Sequence, residues 1–248
     1  MKTKLRIAYQ RYTSCGGCQL TFLNCERDLP LIEKFFDVVD FQLVSPINEK
    51  DFLLDVALVE GSIATAEELQ RLLDLRRRAK FLIAVGACAL SAGVNALAKK
   101  REMLLADVYG AATLPTESFP PQPVSHFVSI DAEIPGCPPE GHDYLRLLGT
   151  ILSGGFPPDY SVPVCMECRL RENRCLLIEG KLPCCGPVTR SGCLARCPSY
   201  GVICEGCRGA VVEANFPEQV KLLLQTGLTD AEMRGRLERF LRRDDEGY

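Results

Sequence analysis

Nine of the fourteen cysteines in this chain fall between Cys165 and Cys207, in a segment with little amphipathic periodicity. Such a segment cannot be held together by a conventional apolar core, so something other than hydrophobic burial must fold it. Disulfides are the first candidate. The N-terminus, MKTKLRIAYQRYTSC, contains no apolar run of signal-peptide length, and no segment offers the ~20 uninterrupted apolar residues of a membrane span. A cytoplasmic location is therefore expected, and there thiols are kept reduced. A chain of 248 residues can also bury a real core without covalent staples. Metal binding becomes the leading explanation for the cysteines.

Charge narrows the function classes further. The formal net charge of -3 gives no basic field for a nucleic-acid backbone, and Arg76-Arg77-Arg78 reads as a solvated helix face. No nucleic-acid partner is expected. The first 155 residues alternate short apolar runs with helix-like segments, the pattern of an α/β domain with a helix-covered parallel sheet. Strands are predicted at Leu5–Tyr9, Phe36–Leu43, Val56–Val59, Phe81–Val85 and, shorter, Phe127–Ile130. Thr65 and Glu68 form a capping-box signature ahead of a helix whose Leu69, Leu72 and Leu73 recur at helical spacing. After Cys137, PPEGHDYLRLLGTILSG predicts a helix stopped at Gly154-Gly155.

From Gly154 to Pro163, GGFPPDYSVP reads as a linker. It separates a first domain, residues 1–155, from a second, residues 156–248, which holds the cysteine-rich segment and a helical tail. In that tail Thr229 and Glu232 make a second capping-box signature, and the charged helix is predicted to end in Arg242-Arg243.

The N-terminal cysteines follow a rule of position. Cys15 and Cys18 sit in SCGGCQ just after the first strand, Cys88 in VGACAL after FLIAV, and Cys137 in PGCPPE after the last strand. Loops beyond the carboxyl ends of parallel strands converge on a crevice, so four thiolates from three distant segments are placed to meet. Flanking glycines permit close backbone approach, and N–H groups at helix starts can donate to cluster sulfides, which suits an iron-sulfur cluster. A lone CxxC would equally fit a redox disulfide, but Cys88 and Cys137 at equivalent strand ends favour the cluster.

TSCGGCQLTF, VEGS, AVGACA, GCPPE, CMECRLRENRC, GPVTRSGCLARCPSYGV and CEGCRG occur in this order from Thr13 to Gly209. Together they resemble the small subunits of nickel-iron hydrogenases, in particular the cytoplasmic multimeric type and the delta subunits of sulfhydrogenases and NAD(P)-linked hydrogenases. The resemblance implies a flavodoxin-like domain with a proximal 4Fe-4S cluster, followed by a small iron-sulfur domain with medial and distal clusters. Carried over by position, the proximal ligands are Cys15, Cys18, Cys88 and Cys137, and the distal ligands Cys165, Cys168, Cys175 and Cys184. The family pattern leaves one spacer residue before Gly186-Pro187, so Cys184 is the implied ligand of the tandem pair and Cys185 the spacer.

The medial pattern matches Cys193, Cys204 and Cys207, and Cys197 supplies a fourth ligand where some relatives carry proline. The spacing agrees with this: Cys193-x3-Cys197-Pro198 resembles a ferredoxin-like ending, although there neighbouring cysteines can serve different clusters. Three 4Fe-4S clusters are thus expected, and no catalytic residue in this chain.

The nickel-iron site belongs to a large subunit, because the CxxC motifs that hold nickel there are missing here. Flavin and NAD(P) are expected on further iron-sulfur and flavin-bearing partners, since no GxGxxG or phosphate loop occurs. Delivery to a heterodisulfide reductase or to coenzyme F420 is the alternative. A zinc-stapled scaffold is the reading from another class. The related subunit of respiratory complex I carries tandem cysteines at its first ligand site and lacks the second cysteine-rich segment, so it fits less well. Glu60, Gln19 and His142 lie near the expected proximal site, His126 reads as a surface residue, and Cys25 as a small buried thiol.

Overall fold

The computed structural model describes residues 4–44, 52–97, 110, 118–157 and 160–241. The chain forms two compact units, Met1–Ile134 and Pro135–Tyr248.

The first unit is built on five parallel strands: β1 (Leu5–Arg11), β2 (Phe36–Phe41), β3 (Leu54–Glu60), β5 (Ala79–Val85) and β7 (Ala132–Ile134), in the order β2-β1-β3-β5-β7. This is the doubly wound, flavodoxin-like order, with a switch point between β1 and β3. All four adjacent pairs are parallel, with Ala8 opposite Ala57 and Ala57 opposite Leu82 through the centre. β3 is buried along nearly its whole length, as expected of a central parallel strand, and its middle, Val56–Val59, is a continuous apolar run. A separate ribbon pairs β4 (Ile63–Thr65) antiparallel with β6 (Ser118–Gln122).

Four helices flank these strands: α1 (Gly17–Leu23), α2 (Leu29–Phe35), α3 (Ala66–Arg78) and α4 (Gly86–Ser91). Thr65 caps α3, its hydroxyl accepting the Glu68 N–H, but Glu68 reaches back to the Ala64 N–H and to the Thr13 hydroxyl rather than to Thr65. The expected strand at Phe127–Ile130 is not formed. Phe127, Val128 and Ile130 instead pack side chains onto the core. Pairing with β5 begins only at Asp131, whose N–H donates to the Leu82 carbonyl and whose carboxylate accepts the Leu82 N–H.

The second unit contains α5 (Gly141–Ser153), α6 (Val164–Leu170), the short α7 (Arg196–Ser199), α8 (Phe216–Gln225) and α9 (Asp230–Phe240). Glu140 and Asp143 form a reciprocal capping box at α5, and Gly154 ends that helix in the left-handed conformation. Although α5 precedes the Gly/Pro-rich linker, its Asp143 bonds to Tyr160 and Arg208, which ties it to the second unit. The Thr229–Glu232 capping box opens α9; Arg242 and Arg243 lie outside the described residues. The unit holds two small apolar clusters. One joins Cys185, Val188, Phe216, Leu223, Met233, Leu237 and Leu241; the other joins Val164, Leu177, Cys184, Ala195 and Cys204.

Candidate iron-sulfur centres

In the first unit the carboxyl end of β1 runs directly into the Cys15 loop. That loop is tied to VEGS, because Thr13 and Ser62 exchange backbone hydrogen bonds and the Tyr12 N–H donates to the Glu60 carbonyl. The Asn95 side chain, shortly after the Cys88 helix, donates to the Thr13 carbonyl and to the Ser62 hydroxyl. The segments bearing Cys15, Cys18 and Cys88 are thus linked through one polar network. Cys15 is exposed, Cys88 half-buried and Cys18 buried, and the Gly17 N–H points at the Cys15 sulfur at 3.4 Å.

Beside Cys18 lie two buried polar side chains. Glu60 accepts the Gln19 N–H at 2.9 Å, and the Gln19 amide donates to the Tyr9 carbonyl at 3.0 Å. Among the described residues, Glu60 Oε1 and Gln19 Oε1 are buried without a hydrogen-bond partner. Cys25 lies past the end of α1 and is half-buried rather than fully buried, with its thiol directed at the Thr21 carbonyl. His126 is exposed and rests edge-on against Phe127.

In the second unit α6 presents Cys165 and Cys168 one helical turn apart. Cys175 and Cys184 face the same space, and all four line one cavity of about 290 Å³ together with Leu176, Leu177, Ile178 and Leu222. The cavity also has amide donors aimed at sulfur: the Cys204 N–H lies 3.2 Å from Cys184 Sγ, and the Ile178 N–H 3.5 Å from Cys175 Sγ. At Gly186 a Cβ would stand 3.3 Å from Cys165 Sγ and 3.6 Å from Cys184 Sγ, so glycine leaves the sulfurs room. The tandem pair divides cleanly. Cys185 is completely buried against Val188, Leu223, Met233 and Leu237, with its back to the cavity that Cys184 lines.

The other four cysteines are less uniform. Cys207 lies within electrostatic reach of Cys193 and Cys197, and also of Cys137, whose backbone N–H donates to the Cys207 sulfur. Cys204 packs beside Cys184, with Cys207 its other sulfur neighbour, so it stands between the two groups.

Burial raises the thiols of Cys165, Cys168, Cys184, Cys193, Cys204 and Cys207, pushing Cys165 up to about 12 and Cys207 up to about 11, where neighbouring cysteines add to the effect. Thiolates are therefore unfavourable here unless cationic iron compensates them, and metal loading expels the protons. Among the described residues no group of three or more His, Cys, Asp or Glu side chains converges on a single ion. Cluster thiolates each bind a different iron. An apolar cavity with four thiols, sulfur-directed amides and a glycine wall fits such a group.

Several residues without a sequence signal organise this unit. Arg208 is almost wholly buried; it donates to both Asp143 oxygens and to the Ser191 carbonyl, and its guanidinium lies 4.7 Å above the Tyr160 ring. Removing either charge alone would strand the other, at about 3–5 kcal/mol. Glu167 accepts the Gly192 and Ala195 N–H groups and so shapes the Cys193 loop. His142 Nε2 lies 2.8 Å from the Gly192 carbonyl, on the same loop.

Tyr160 supplies a pH test. Burial, reinforced by Asp143, pushes its hydroxyl up to about 12. Since the folded state favours the protonated phenol, its contribution is complete below pH 10 and is lost as pH rises toward 12. Thermal unfolding should show the wild type losing stability across that window more steeply than Tyr160→Phe.

Known proteins with this arrangement settle the family. The chain is 35% identical to sulfhydrogenase 2 subunit delta of Pyrococcus furiosus, over 96% of this chain and all of that one. The chain belongs to the nickel-iron hydrogenase small subunits. It is 30% identical to a subunit of the F420-non-reducing hydrogenase of Methanocaldococcus jannaschii, across 83% of this chain and 82% of that one. Residues 15–151 match the family described as NADH ubiquinone oxidoreductase, 20 Kd subunit, which stops short of the cysteine-rich segment. Among solved structures, a chain of an NAD+-reducing [NiFe]-hydrogenase aligns with a TM-score of 0.58 and 28% identity. That match covers 63% of this small subunit and 96% of the other chain. No helix among the described residues is long and apolar enough to cross a membrane.

Proposed function

We propose that this hydrogenase small subunit relays electrons between a nickel-iron site in a partner large subunit and a flavin- and NAD(P)-binding partner, through three 4Fe-4S clusters. The observation that carries this reading is the single apolar cavity lined by Cys165, Cys168, Cys175 and Cys184. These four would hold the distal cluster, Cys193, Cys197, Cys204 and Cys207 the medial one, and Cys15, Cys18, Cys88 and Cys137 the proximal one. When bound, such clusters supply one-electron carriage over distances that no side chain spans.

The residues of the chain do the rest. The Cys204 N–H donates to the Cys184 sulfur and favours its charged form, and the Ile178 and Gly17 N–H groups point at the Cys175 and Cys15 sulfurs. Leu176, Leu177, Ile178 and Leu222 keep water from the distal cavity. A cytoplasmic location is part of the proposal and rests on the number of thiols.

Over a third of this chain has no counterpart in the matched NAD+-reducing hydrogenase chain, whereas the sulfhydrogenase subunit matches it end to end. In this reading the additional length carries the medial and distal clusters. The alternative acceptors are a heterodisulfide reductase and coenzyme F420, the latter named for one relative, a coenzyme F420 hydrogenase subunit gamma of Methanosarcina barkeri. Purification of the native complex, followed by EPR under hydrogen alone, tests the relay. Hydrogen should reduce clusters on this chain when the large subunit is present and leave them oxidised when it is absent. Clusters that stay oxidised in the intact complex would contradict the proposal.

A further inference from the structure

Two charged side chains lie against the Cys193 loop, and neither belongs to a ligand pattern. Glu167, between Cys165 and Cys168, places Oε2 3.9 Å from Cys193 Sγ while its carboxylate accepts the Gly192 and Ala195 N–H groups. No cation pairs with Glu167 among the described residues. Arg208, next in sequence to Cys207, lies against the same loop. Its Nε donates to the Ser191 carbonyl at 2.6 Å, two residues before Cys193, and a Cβ on Gly192 would fall 2.2 Å from its Nη2. The guanidinium thus lies directly against the Cys193 loop.

Position makes each charge effective. Arg208 is buried and Glu167 half-buried, so neither charge is fully screened by solvent, and local charge is one of the levers on cluster potential. An anion opposes the arrival of an electron; a cation favours it. Glu167 is carried on the helix that bears two cysteines of one set and touches a cysteine of the other.

We infer that Glu167 and Arg208 are opposed tuning charges that set the potential of the group held by Cys193, Cys197, Cys204 and Cys207. The inference rests on the relay reading above, and the iron and sulfide content of the wild-type chain tests that reading separately. The experiment is an EPR-monitored redox titration of the purified complex, with iron counted in every variant.

Glu167→Gln should raise the midpoint potential of that cluster. Arg208→Gln alone would leave Asp143 buried and unpaired, so both are replaced in Asp143→Asn/Arg208→Gln; the net charge is unchanged, and the fall expected is smaller than the rise in Glu167→Gln, because the guanidinium rather than Asp143 faces the Cys193 loop. Glu167→Asp keeps the charge and should stay closer to the wild-type value than Glu167→Gln. Shifts of the same sign in the two charge-removing variants, or no shift with full iron content, would overturn the inference. So would loss of the cluster in Glu167→Gln, since Glu167 would then be a strut for the ligand loop.

Discussion

Cys184→Ala will cost the chain one cluster, about four of about twelve iron atoms if each set of four thiolates holds a cubane, whereas Cys185→Ala will keep them all. The two residues are adjacent, and their surroundings could hardly differ more. Cys184 lines the cavity with Cys165, Cys168 and Cys175 and accepts the Cys204 N–H. Cys185 is wholly buried in the apolar cluster beneath α8 and α9, where burial pushes its thiol up to about 12. Its loss should therefore cost about 1 kcal/mol of stability through a small cavity, with no change in metal content. Iron analysis and thermal unfolding of the two variants separate these effects. Iron loss in Cys185→Ala with retention in Cys184→Ala would reverse the assignment.

Gly192→Ala will destabilise the second unit severely. Gly192 has φ +112, a conformation that side chains rarely adopt, and its Cβ would lie 2.2 Å from Arg208 Nη2 and 2.6 Å from Tyr160 Cε1. Neither neighbour can retreat, since Arg208 is fixed by Asp143 and Ser191 and Tyr160 by Asp143. Backbone strain and overpacking together cost about 3 kcal/mol or more. The damage falls on the residue before Cys193, so loss of iron should accompany the lower melting temperature. A variant that melts like the wild type would show that the Asp143–Arg208–Tyr160 arrangement yields easily.

Much of this was legible in the residues. The central strands of the first unit announce themselves because a parallel strand buried on both faces carries a continuous apolar run, as VALV and FLIAV do. Position at strand ends marked Cys15, Cys18 and Cys88, and i, i+3 spacing on α6 placed Cys165 and Cys168 on one side of a turn. The run at Phe127–Ile130 misled because its apolar side chains serve packing while its backbone stays outside the ladder. A hydrophobic pattern records burial, not hydrogen-bond partners.

The polar supports were invisible for a different reason. Arg208 meets Asp143 across 65 positions, and Glu167 meets Ala195 across 28, so no local period or motif encodes either contact. Only their neighbours, Cys207 and Cys168, marked those stretches as important. The same holds for Asn95, whose amide joins Thr13 to Ser62.

Iron and acid-labile sulfide analysis of the complex purified without oxygen, with EPR of its reduced form, tests the central claim most directly. Three cubane clusters on this chain predict about twelve iron and about twelve sulfide per chain, beyond those carried by its partners. Zinc without sulfide would contradict the account, leaving these cysteines as the staples of a structural domain.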